Sequence, residues 1–187
     1  MADVLSPEQR SLNMSRIRGR DTRPELLLRR GLHAAGLRFR LHRRGLPGRP
    51  DLVFPRHQAV ILVHGCFWHG HHCPMFRLPA TRTEFWAAKI GGNRARDQRN
   101  LEDLTAAGWR VLTVWECCLK GPARRPFVDV ISCCAAFVRG SQHRAELAGT
   151  WPDPAPVDHR EPLNLNAGDE AAEALHIEAS RAPAIHG

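Results

Sequence analysis

The stretch Val60-Ile61-Leu62-Val63-His64-Gly65-Cys66-Phe67-Trp68-His69-Gly70-His71-His72-Cys73 decides the architecture of this chain. Its four consecutive aliphatic residues predict a buried strand, and the glycines that follow predict that the backbone leaves the sheet there. Four histidines, two cysteines and two aromatic residues then lie close together. Because segments at strand ends carry side chains for binding and chemistry, we expect the functional site at this point.

The length and composition of the chain restrict its class. With 187 residues, of which 43% are apolar, the chain is long enough for one domain with a hydrophobic core. No window approaches 18 uninterrupted apolar residues, so a membrane-spanning helix is not predicted. The opening Met1-Ala2-Asp3-Val4 is not typical of a secretory signal, and we expect a cytoplasmic protein. The six cysteines are therefore not expected to form a disulfide framework.

Charge is distributed unevenly along the chain. Residues 1–140 contain 24 Lys and Arg against 11 Asp and Glu, whereas residues 141–187 contain 3 Arg against 8 Asp and Glu. A strongly basic body favours a polyanionic partner, nucleic acid above all, because binding to phosphates releases counterions. The alternative is a solvated, Arg-rich surface without a specific partner, and charge alone does not separate the two.

Turn residues, charge and periodicity predict three regions. Residues 1–22 form a basic arm, residues 23–140 a folded domain, and residues 141–187 an acidic, disordered tail. The predicted helices are Pro24–Ala35, Glu84–Ala107 and Arg125–Val138, and the predicted strands are Leu37–His42, Asp51–Phe54, Ala59–Val63 and Trp109–Trp115. The short connection between the second and third strands predicts an antiparallel pair. Gly91-Gly92 predicts a bend or break in the long helix.

Three cysteines and one histidine have the composition of a closed structural zinc site. Cys66, His71 and Cys73 lie in one loop, and Cys117 follows the last predicted strand. Three neighbouring residues compete as ligands: His69, His72 and Cys118. The alternative is a group of unligated buried thiols and surface histidines, so the spacing leaves the final set open.

Carboxylates and histidines near the same strand indicate acid–base chemistry on a metal. Asp51, after Pro50, lies at the start of a strand, where an oxygen ligand suits Mg²⁺, although a Pro-Asp pair is also a common turn. His69 has a side chain suited to general-base chemistry near neutral pH. Asp97 falls on the apolar stripe of the long helix, where a carboxylate needs a partner. Glu25 fits either a capping acid or a residue on the buried face of its helix.

Aromatic and apolar side chains in polar surroundings predict contacts with DNA bases. Phe67, Trp68 and Trp86 flank the candidate site and favour stacking against bases, with core packing as the alternative. Met14 and Ile17, three residues apart in the basic arm, either insert between base steps or pack on the domain. A polar face of the long helix carries Lys89, Asn93 and Arg96.

Together these motifs resemble the very short patch repair (Vsr) endonucleases, nicking enzymes of the PD-(D/E)xK nuclease superfamily. The resemblance runs from about Ser11 to Leu119. It is carried by Asn13-Met14-x-x-Ile17, Leu46-Pro47-Gly48-Arg49-Pro50-Asp51, His64-Gly65-Cys66-Phe67-Trp68-His69, Pro79-Ala80-Thr81-Arg82-Thr83-Glu84-Phe85-Trp86, Lys89-Ile90, Gly108-Trp109-Arg110-Val111-Leu112 and Val114-Trp115-Glu116-Cys117. The resemblance implies a restriction-endonuclease-like α/β core, with a central mixed sheet flanked by helices and a structural zinc site.

The activity that this resemblance implies is Mg²⁺-dependent nicking of duplex DNA. The cut lies 5′ to the T of T·G mismatches, which arise when 5-methylcytosine deaminates, and it initiates very short patch mismatch repair. The expected protein is a monomer associated with the nucleoid and not with a membrane. The mismatch-repair protein MutL is a candidate partner.

Carried over residue by residue, the resemblance implies three sets of site residues. Asp51 and the backbone carbonyl of Val63 bind Mg²⁺, His69 is the general base, and His64, Glu25 and Asp97 complete the catalytic site. The zinc ligands are Cys66, His71, Cys73 and Cys117. The DNA contacts are Met14 and Ile17 in the minor groove, Phe67, Trp68 and Trp86 beside the mismatch, and Lys89, Asn93 and Arg96 at the mismatch or its flanking bases.

The chain departs from the family pattern in two respects and leaves two rival functions open. No acid-x-Lys element lies near His64, so one carboxylate and one carbonyl must hold the metal. Val63 stands where some relatives have Thr, which leaves only its carbonyl as a ligand. A non-catalytic, zinc-dependent DNA-binding module and a restriction-type nuclease that cuts paired sites are the alternatives.

Overall fold

The computed structural model describes Ser6, Gln9, Leu12 and residues 19–151. Met14 and Ile17 of the predicted arm lie outside these residues, as does the predicted tail beyond Trp151. The described elements are α1 (Arg23–Ala34), β1 (Arg40–Leu41), β2 (Leu52–Phe54), β3 (Ala59–His64), α2 (Thr83–Ala106), β4 (Arg110–Trp115), α3 (Phe127–Arg139) and β5 (Arg144–Leu147). Short 3-10 turns at Pro55–His57 and Glu116–Cys118 follow β2 and β4.

Within residues 19–151, five strands form one mixed sheet in the order β1-β2-β3-β4-β5. β2 pairs antiparallel with both β1 and β3, and the register places Leu52 opposite Ile61. β4 pairs parallel with both β3 and β5. The antiparallel pair predicted from the short connection is confirmed. The mixed α/β architecture is confirmed as well.

The central strand β3 is buried on both faces, which explains its uninterrupted aliphatic sequence. Ala59 and Ile61 belong to one apolar cluster, whereas Val60 and Leu62 belong to another. Side chains alternate between the two faces of a strand, so these clusters lie on opposite sides of the sheet. Each of Ala59, Val60 and Ile61 is fully buried.

Helices cover the sheet on both sides. Leu28 of α1 and Val130 of α3 pack in the cluster of Ile61, and Leu104 of α2 packs in the cluster of Val60. None of the helices among the described residues is long and apolar enough to cross a bilayer.

Three details of the predicted secondary structure are corrected. The helix predicted to bend or break at Gly91-Gly92 has no break, because α2 runs through both glycines. A Cβ at either glycine would meet nothing within 4 Å, so the pair lies on an open helix face. The predicted strand Leu37–His42 shrinks to the two residues of β1, which are exposed at the sheet edge. The helix predicted over Glu84–Ala107 begins and ends one residue earlier, at Thr83 and Ala106, and its N-cap is Arg82.

The predicted boundary between domain and tail is also corrected. Residues 144–147, assigned to the disordered tail, form β5, and Val111 of β4 lies opposite Arg144. Leu147 is 7% exposed and packs in the apolar core. The compact unit ends at Trp151, eleven residues after the predicted boundary at 140. The sequence did not reveal β5 because a four-residue edge strand changes little in the acidic, Pro-rich composition from which the tail was predicted.

Candidate active site and metal centre

Asp51 lies beside the carboxyl end of β3 because β2 and β3 run antiparallel. The backbone N–H of Val63 donates to Oδ2 of Asp51 at 2.7 Å, so the carboxylate continues the pairing next to the first β2 residue, Leu52. A cleft of about 800 Å³ opens here. The predicted catalytic residues that line it are Glu25, Asp51, His64, His69 and Asp97, together with Val63. The structure therefore brings all of them to one place.

The carboxyl group of Asp51 has a raised proton affinity. Burial raises its pKa from the ordinary 3.8 to about 6, the Val63 N–H opposes this effect, and the charge of Glu25 adds to it. A group of this kind is costly to ionise without a neighbouring positive charge. The site thus favours a cation beside Asp51.

His69 and Asp97 form a hydrogen-bonded pair across the cleft. Nδ1 of His69 lies 2.5 Å from Oδ2 of Asp97, which explains why α2 carries a carboxylate on its inner stripe. Both side chains are about one-fifth exposed. With Nδ1 engaged, Nε2 is the ring nitrogen available to exchange a proton with a bound water.

His64 packs directly against His69. The two imidazole rings are parallel, with centroids 3.9 Å apart. Burial, with a smaller effect from His69, lowers the pKa of His64 to about 3. His64 is therefore neutral at physiological pH, and a neutral ring stacks on His69 without repelling a proton held there.

Glu25 combines the two roles that the sequence left open. It is 3% exposed, so it does lie on the buried side of α1. It also forms a capping box with Thr22, whose Oγ1 donates to Oε1 of Glu25 at 2.8 Å. The backbone N–H of Asp21 donates to the other oxygen, Oε2, at 3.0 Å. Its partner Arg29 donates to Oε2 at 2.8 Å, which compensates the buried charge.

A second cluster, of sulfur and nitrogen ligands, takes three of its four residues from the same loop that carries His69. The ligand atoms of Cys66, His71, Cys73 and Cys117 all lie within 4.8 Å of one another. Nδ1 of His71 lies 3.6 Å from the Sγ atoms of both Cys66 and Cys117. Three thiols and one imidazole at this spacing match a closed tetrahedral site.

The residues that competed for this cluster take other places. His69 belongs to the pair with Asp97, and His72 is exposed. Cys118 is buried, and burial raises the pKa of its thiol to about 12, so it remains protonated. In contrast, a hydrogen bond from Cys66 lowers the pKa of Cys117 to about 6 and raises that of Cys66. This hydrogen bond therefore favours the thiolate form of Cys117, which is the form that binds a metal.

Residues from the predicted tail support the cysteine–histidine cluster. The backbone N–H of Gly149 donates to Sγ of Cys117 at 3.3 Å. The ring of His71 stacks on Trp115 with centroids 4.0 Å apart and meets Trp151 edge-on at 5.8 Å. Nε1 of Trp115 donates to Glu146 on β5 at 3.1 Å. The segment through Trp151 is therefore part of this centre.

The three predicted aromatic residues form one cluster beside the cleft. Phe67 meets Trp68 at a centroid distance of 5.1 Å and Trp86 at 5.3 Å, and the two tryptophans are 6.0 Å apart. All three are half-buried. Trp68 also lines the cleft, which places the edge of this cluster within reach of a bound ligand.

The polar face predicted on α2 is only partly exposed. Asn93 is 8% exposed and donates to the carbonyl of Trp68 at 2.8 Å, so the prediction of a surface position is wrong. Arg96 donates to Oδ1 of Asn93 at 2.7 Å and lines the cleft. Lys89 is exposed. Asn93 thus ties the aromatic loop to α2, while Lys89 and Arg96 face outward.

Sequence reasoning missed three residues of the site. Trp115 touches His64, His69 and His71, and the parallel register of β3 and β4 places it opposite His64. Arg29 and His42 form a polar network next to Asp51. The buried position of Asn93 could have been predicted, because Asn93 lies three residues after Ile90 and so on the buried stripe of α2. No sequence pattern indicated Arg29 or His42.

The chain has close relatives among characterised proteins. A family model described as DNA mismatch endonuclease Vsr matches residues 2–75. The Type II nicking enzyme V.XorIIP of Xanthomonas oryzae pv. oryzae is 55% identical over 117 residues, which cover 63% of this chain and 86% of the relative. The DNA mismatch endonuclease Vsr of Escherichia coli is 54% identical over 121 residues, 65% of this chain and 78% of the relative. The Type II nicking enzyme V.NmeAIP of Neisseria meningitidis is 39% identical over 123 residues, 66% of this chain and 88% of the relative.

These three relatives are 39–55% identical to the chain over 78–88% of their own length. The chain belongs to the Vsr family of DNA mismatch endonucleases.

Proposed function

We propose that this protein is a DNA endonuclease that nicks one strand of a duplex 5′ to the T of a T·G mismatch and so initiates very short patch repair. The observation that carries the proposal is the single cleft that joins Asp51 to the His69–Asp97 pair in a chain of the Vsr family. Relatives are named a mismatch endonuclease and Type II nicking enzymes. Duplex DNA is accordingly the substrate.

The cleft fits one Mg²⁺ ion held by oxygen ligands. In an extended strand the N–H and C=O of one residue point to the same neighbour. Because the N–H of Val63 points to Asp51, the carbonyl of Val63 lies on the same edge and supplies a second oxygen. A carboxylate, a carbonyl and phosphate oxygens suit Mg²⁺. When bound, the ion would neutralise charge on the scissile phosphate and favour ionisation of the attacking water.

His69 is the proposed general base. Asp97 fixes the ring through Nδ1, so Nε2 accepts the proton of the attacking water. The negative charge of Asp97 stabilises the imidazolium that results, as in other histidine–carboxylate pairs. The neutral ring of His64 stacks on one face of the His69 ring and so holds the His69 imidazole in its plane. Glu25 contributes a fixed negative charge near Asp51.

The cysteine–histidine cluster is the proposed site of a structural zinc ion. Four protein ligands leave no open position, which is typical of structural and not of catalytic zinc. Zinc at this point would hold the loop between β3 and α2, which carries Trp68 and His69. The ligands Cys66, His71 and Cys73 come from that loop, and Cys117 anchors it to the end of β4.

The aromatic cluster is the proposed reader of the mismatch. A half-buried group of three rings beside the cleft suits insertion next to a weakened base pair. Lys89 and Arg96 supply exposed cations on the same side of α2, and Asn93 holds the backbone of Trp68. Met14 and Ile17, outside the described residues, are proposed to enter the minor groove. We further propose a monomeric, nucleoid-associated enzyme with MutL as a candidate partner.

A nicking assay tests this function. Duplexes with one T·G pair in a panel of methyltransferase target sequences are compared with the same duplexes carrying T·A, with and without Mg²⁺. The expected result is a single nick 5′ to the mismatched T that requires both Mg²⁺ and the mismatch. Equal cutting of T·A would instead identify a restriction-type nuclease. Tight binding without cutting in any context would identify a non-catalytic DNA-binding module.

A further inference from the structure

A second group of charged residues lies next to Asp51, and Glu25 is the one member of the group that already has a role in the proposed chemistry. Asp21 and Glu25 lie at the start of α1, and His42 follows β1. One ligand atom from each of these three residues lies within 4.8 Å of the others, a spacing that suits a single cation. The set combines two carboxylates with one imidazole, which are ligands for a divalent metal.

One guanidinium already occupies the middle of this group. Nη1 of Arg29 lies 2.5 Å from Oδ1 of Asp21. Nη2 of Arg29 lies 2.8 Å from Oε2 of Glu25 and 3.0 Å from Nε2 of His42. All three members of the set therefore contact the same cation. The side chain of Arg29 is only 11% exposed, so the guanidinium is built into the protein.

The group is continuous with the metal edge of the cleft. Nδ1 of His42 lies 3.9 Å from Oδ1 of Asp51, while the opposite nitrogen of that ring meets Arg29. Glu25, His42 and Asp51 all line the same cleft. The ring of His42 thus lies between the Arg29 guanidinium and the carboxylate of Asp51, the proposed Mg²⁺ ligand.

We infer that Arg29 is a resident cation that fills a divalent-metal pocket formed by Asp21, Glu25 and His42, and so confines the divalent ion to Asp51 and the carbonyl of Val63. Arg29 suits this role because a guanidinium does not lose its proton in proteins. A divalent ion would have to displace it and leave a buried charge without partners, which is strongly unfavourable. Arg29 is consequently a positioning residue that fixes Glu25 beside the active site. The part of this inference that concerns Asp51 rests on the proposed function.

Counting bound Mn²⁺ tests this inference without measuring nicking. The full chain is loaded with zinc, and Mn²⁺ binding is followed by electron paramagnetic resonance. Wild-type protein is expected to bind one Mn²⁺, which is lost in Asp51→Asn. Arg29→Ala is expected to bind two, and the double variant with Asp51→Asn is expected to keep one. Arg29→Lys, which retains a cation, is expected to bind one.

Two controls separate the pocket from effects of charge and folding. Arg30→Ala removes an exposed cation from the next position of α1 and is expected to leave one Mn²⁺. Arg29→Met keeps the aliphatic part of the side chain, so it serves if Arg29→Ala fails to fold, and it is expected to bind two.

The inference is overturned if wild-type protein already binds two ions. It is equally overturned if folded Arg29→Ala or Arg29→Met binds no more Mn²⁺ than Arg29→Lys does. A wild type that binds none, with one new ion in Arg29→Ala, would refute the proposed Mg²⁺ site at Asp51 and leave the inference about Arg29 standing.

Discussion

The Nδ1–H of His69 donates to Oδ2 of Asp97 at 2.5 Å, although the two residues are 28 positions apart. One comes from the loop after β3 and the other from the inner face of α2. This pairing explains why a carboxylate interrupts the apolar stripe of a helix. It also fixes which nitrogen of the imidazole is left to act on water.

We expect Asp97→Asn to lower the nicking rate while T·G binding persists. The amide cannot stabilise an imidazolium at His69 by charge, so the loss should be on the order of 10²–10⁴-fold in the single-turnover rate. Rapid-quench kinetics with saturating enzyme would measure it. Asp103→Asn, an exposed position on the same helix, is the matched control and should keep the wild-type rate. A rate for Asp97→Asn within twofold of wild type would rule out this role for Asp97.

The raised pKa of Asp51 predicts a pH dependence of stability in the metal-free protein. The folded pKa of about 6 lies above the ordinary 3.8, so the folded state binds more protons than the unfolded state between these values. Stability therefore falls as pH rises through this window. The substitution Asp51→Asn removes this loss of stability. At pH 7 the free energy of unfolding of the variant should exceed that of wild type by roughly 1–3 kcal/mol, and the difference should shrink towards pH 4.

Denaturant unfolding of zinc-loaded, Mg²⁺-free protein at several pH values would measure this difference. Asp129→Asn, on an exposed face of α3, should show no comparable change with pH. The same Asp51→Asn protein should bind a T·G duplex and fail to nick it. A constant stability difference between pH 4 and pH 7 would contradict the assignment of the raised pKa to Asp51.

The parts of the site that could be predicted from the sequence are those that follow from chain geometry. The end of β3 meets the start of β2 in an antiparallel pair and the end of β4 in a parallel pair. Once these strands are identified, their pairing predicts that Asp51, His64 and Cys117 lie close together at one edge of the sheet. The inward position of Asp97 followed from helical periodicity in the same way.

The rest depends on side-chain pairing between distant segments, for which no periodicity exists. Arg29 is one of three arginines on α1, and its contact with His42 depends on how the loop after β1 folds back. The choice of Cys117 over Cys118 depends on the 3-10 turn that begins at Glu116. Gly149 contacts Cys117 only because β5 extends the sheet by one parallel strand.

Removing one ligand of the cysteine–histidine cluster should release zinc. Wild-type protein is expected to contain one zinc ion per chain, and Cys73→Ser to contain none, because three remaining ligands hold zinc far less tightly. The melting temperature of Cys73→Ser should fall by more than about 5 °C. Elemental analysis and calorimetry would measure both quantities. Cys133→Ser, at an exposed cysteine outside the cluster, should match wild type in both. Full zinc occupancy in Cys73→Ser would remove this residue from the ligand set.

Gly149 offers a separate test of the zinc centre, because it is not a ligand. A Cβ at this position would lie 2.5 Å from the carbonyl oxygen of Ala123 and 2.7 Å from that of Cys117. Both contacts are with backbone, so Gly149→Ala must displace the segment whose N–H donates to Sγ of Cys117. We expect a loss of roughly 1–3 kcal/mol in the free energy of unfolding, as for overpacked sites.

The same Gly149→Ala protein should also release zinc faster to a chromogenic chelator, since the thiolate of Cys117 loses a hydrogen bond. Gly92→Ala is the matched control: a Cβ there meets nothing within 4 Å, and alanine in a helix interior should add up to about 1 kcal/mol of stability. If the two substitutions had the same effect on zinc release, the contact between Gly149 and Cys117 would have no part in holding the metal. A faster release in Gly149→Ala alone would show that the segment that follows β5 belongs functionally to the endonuclease domain.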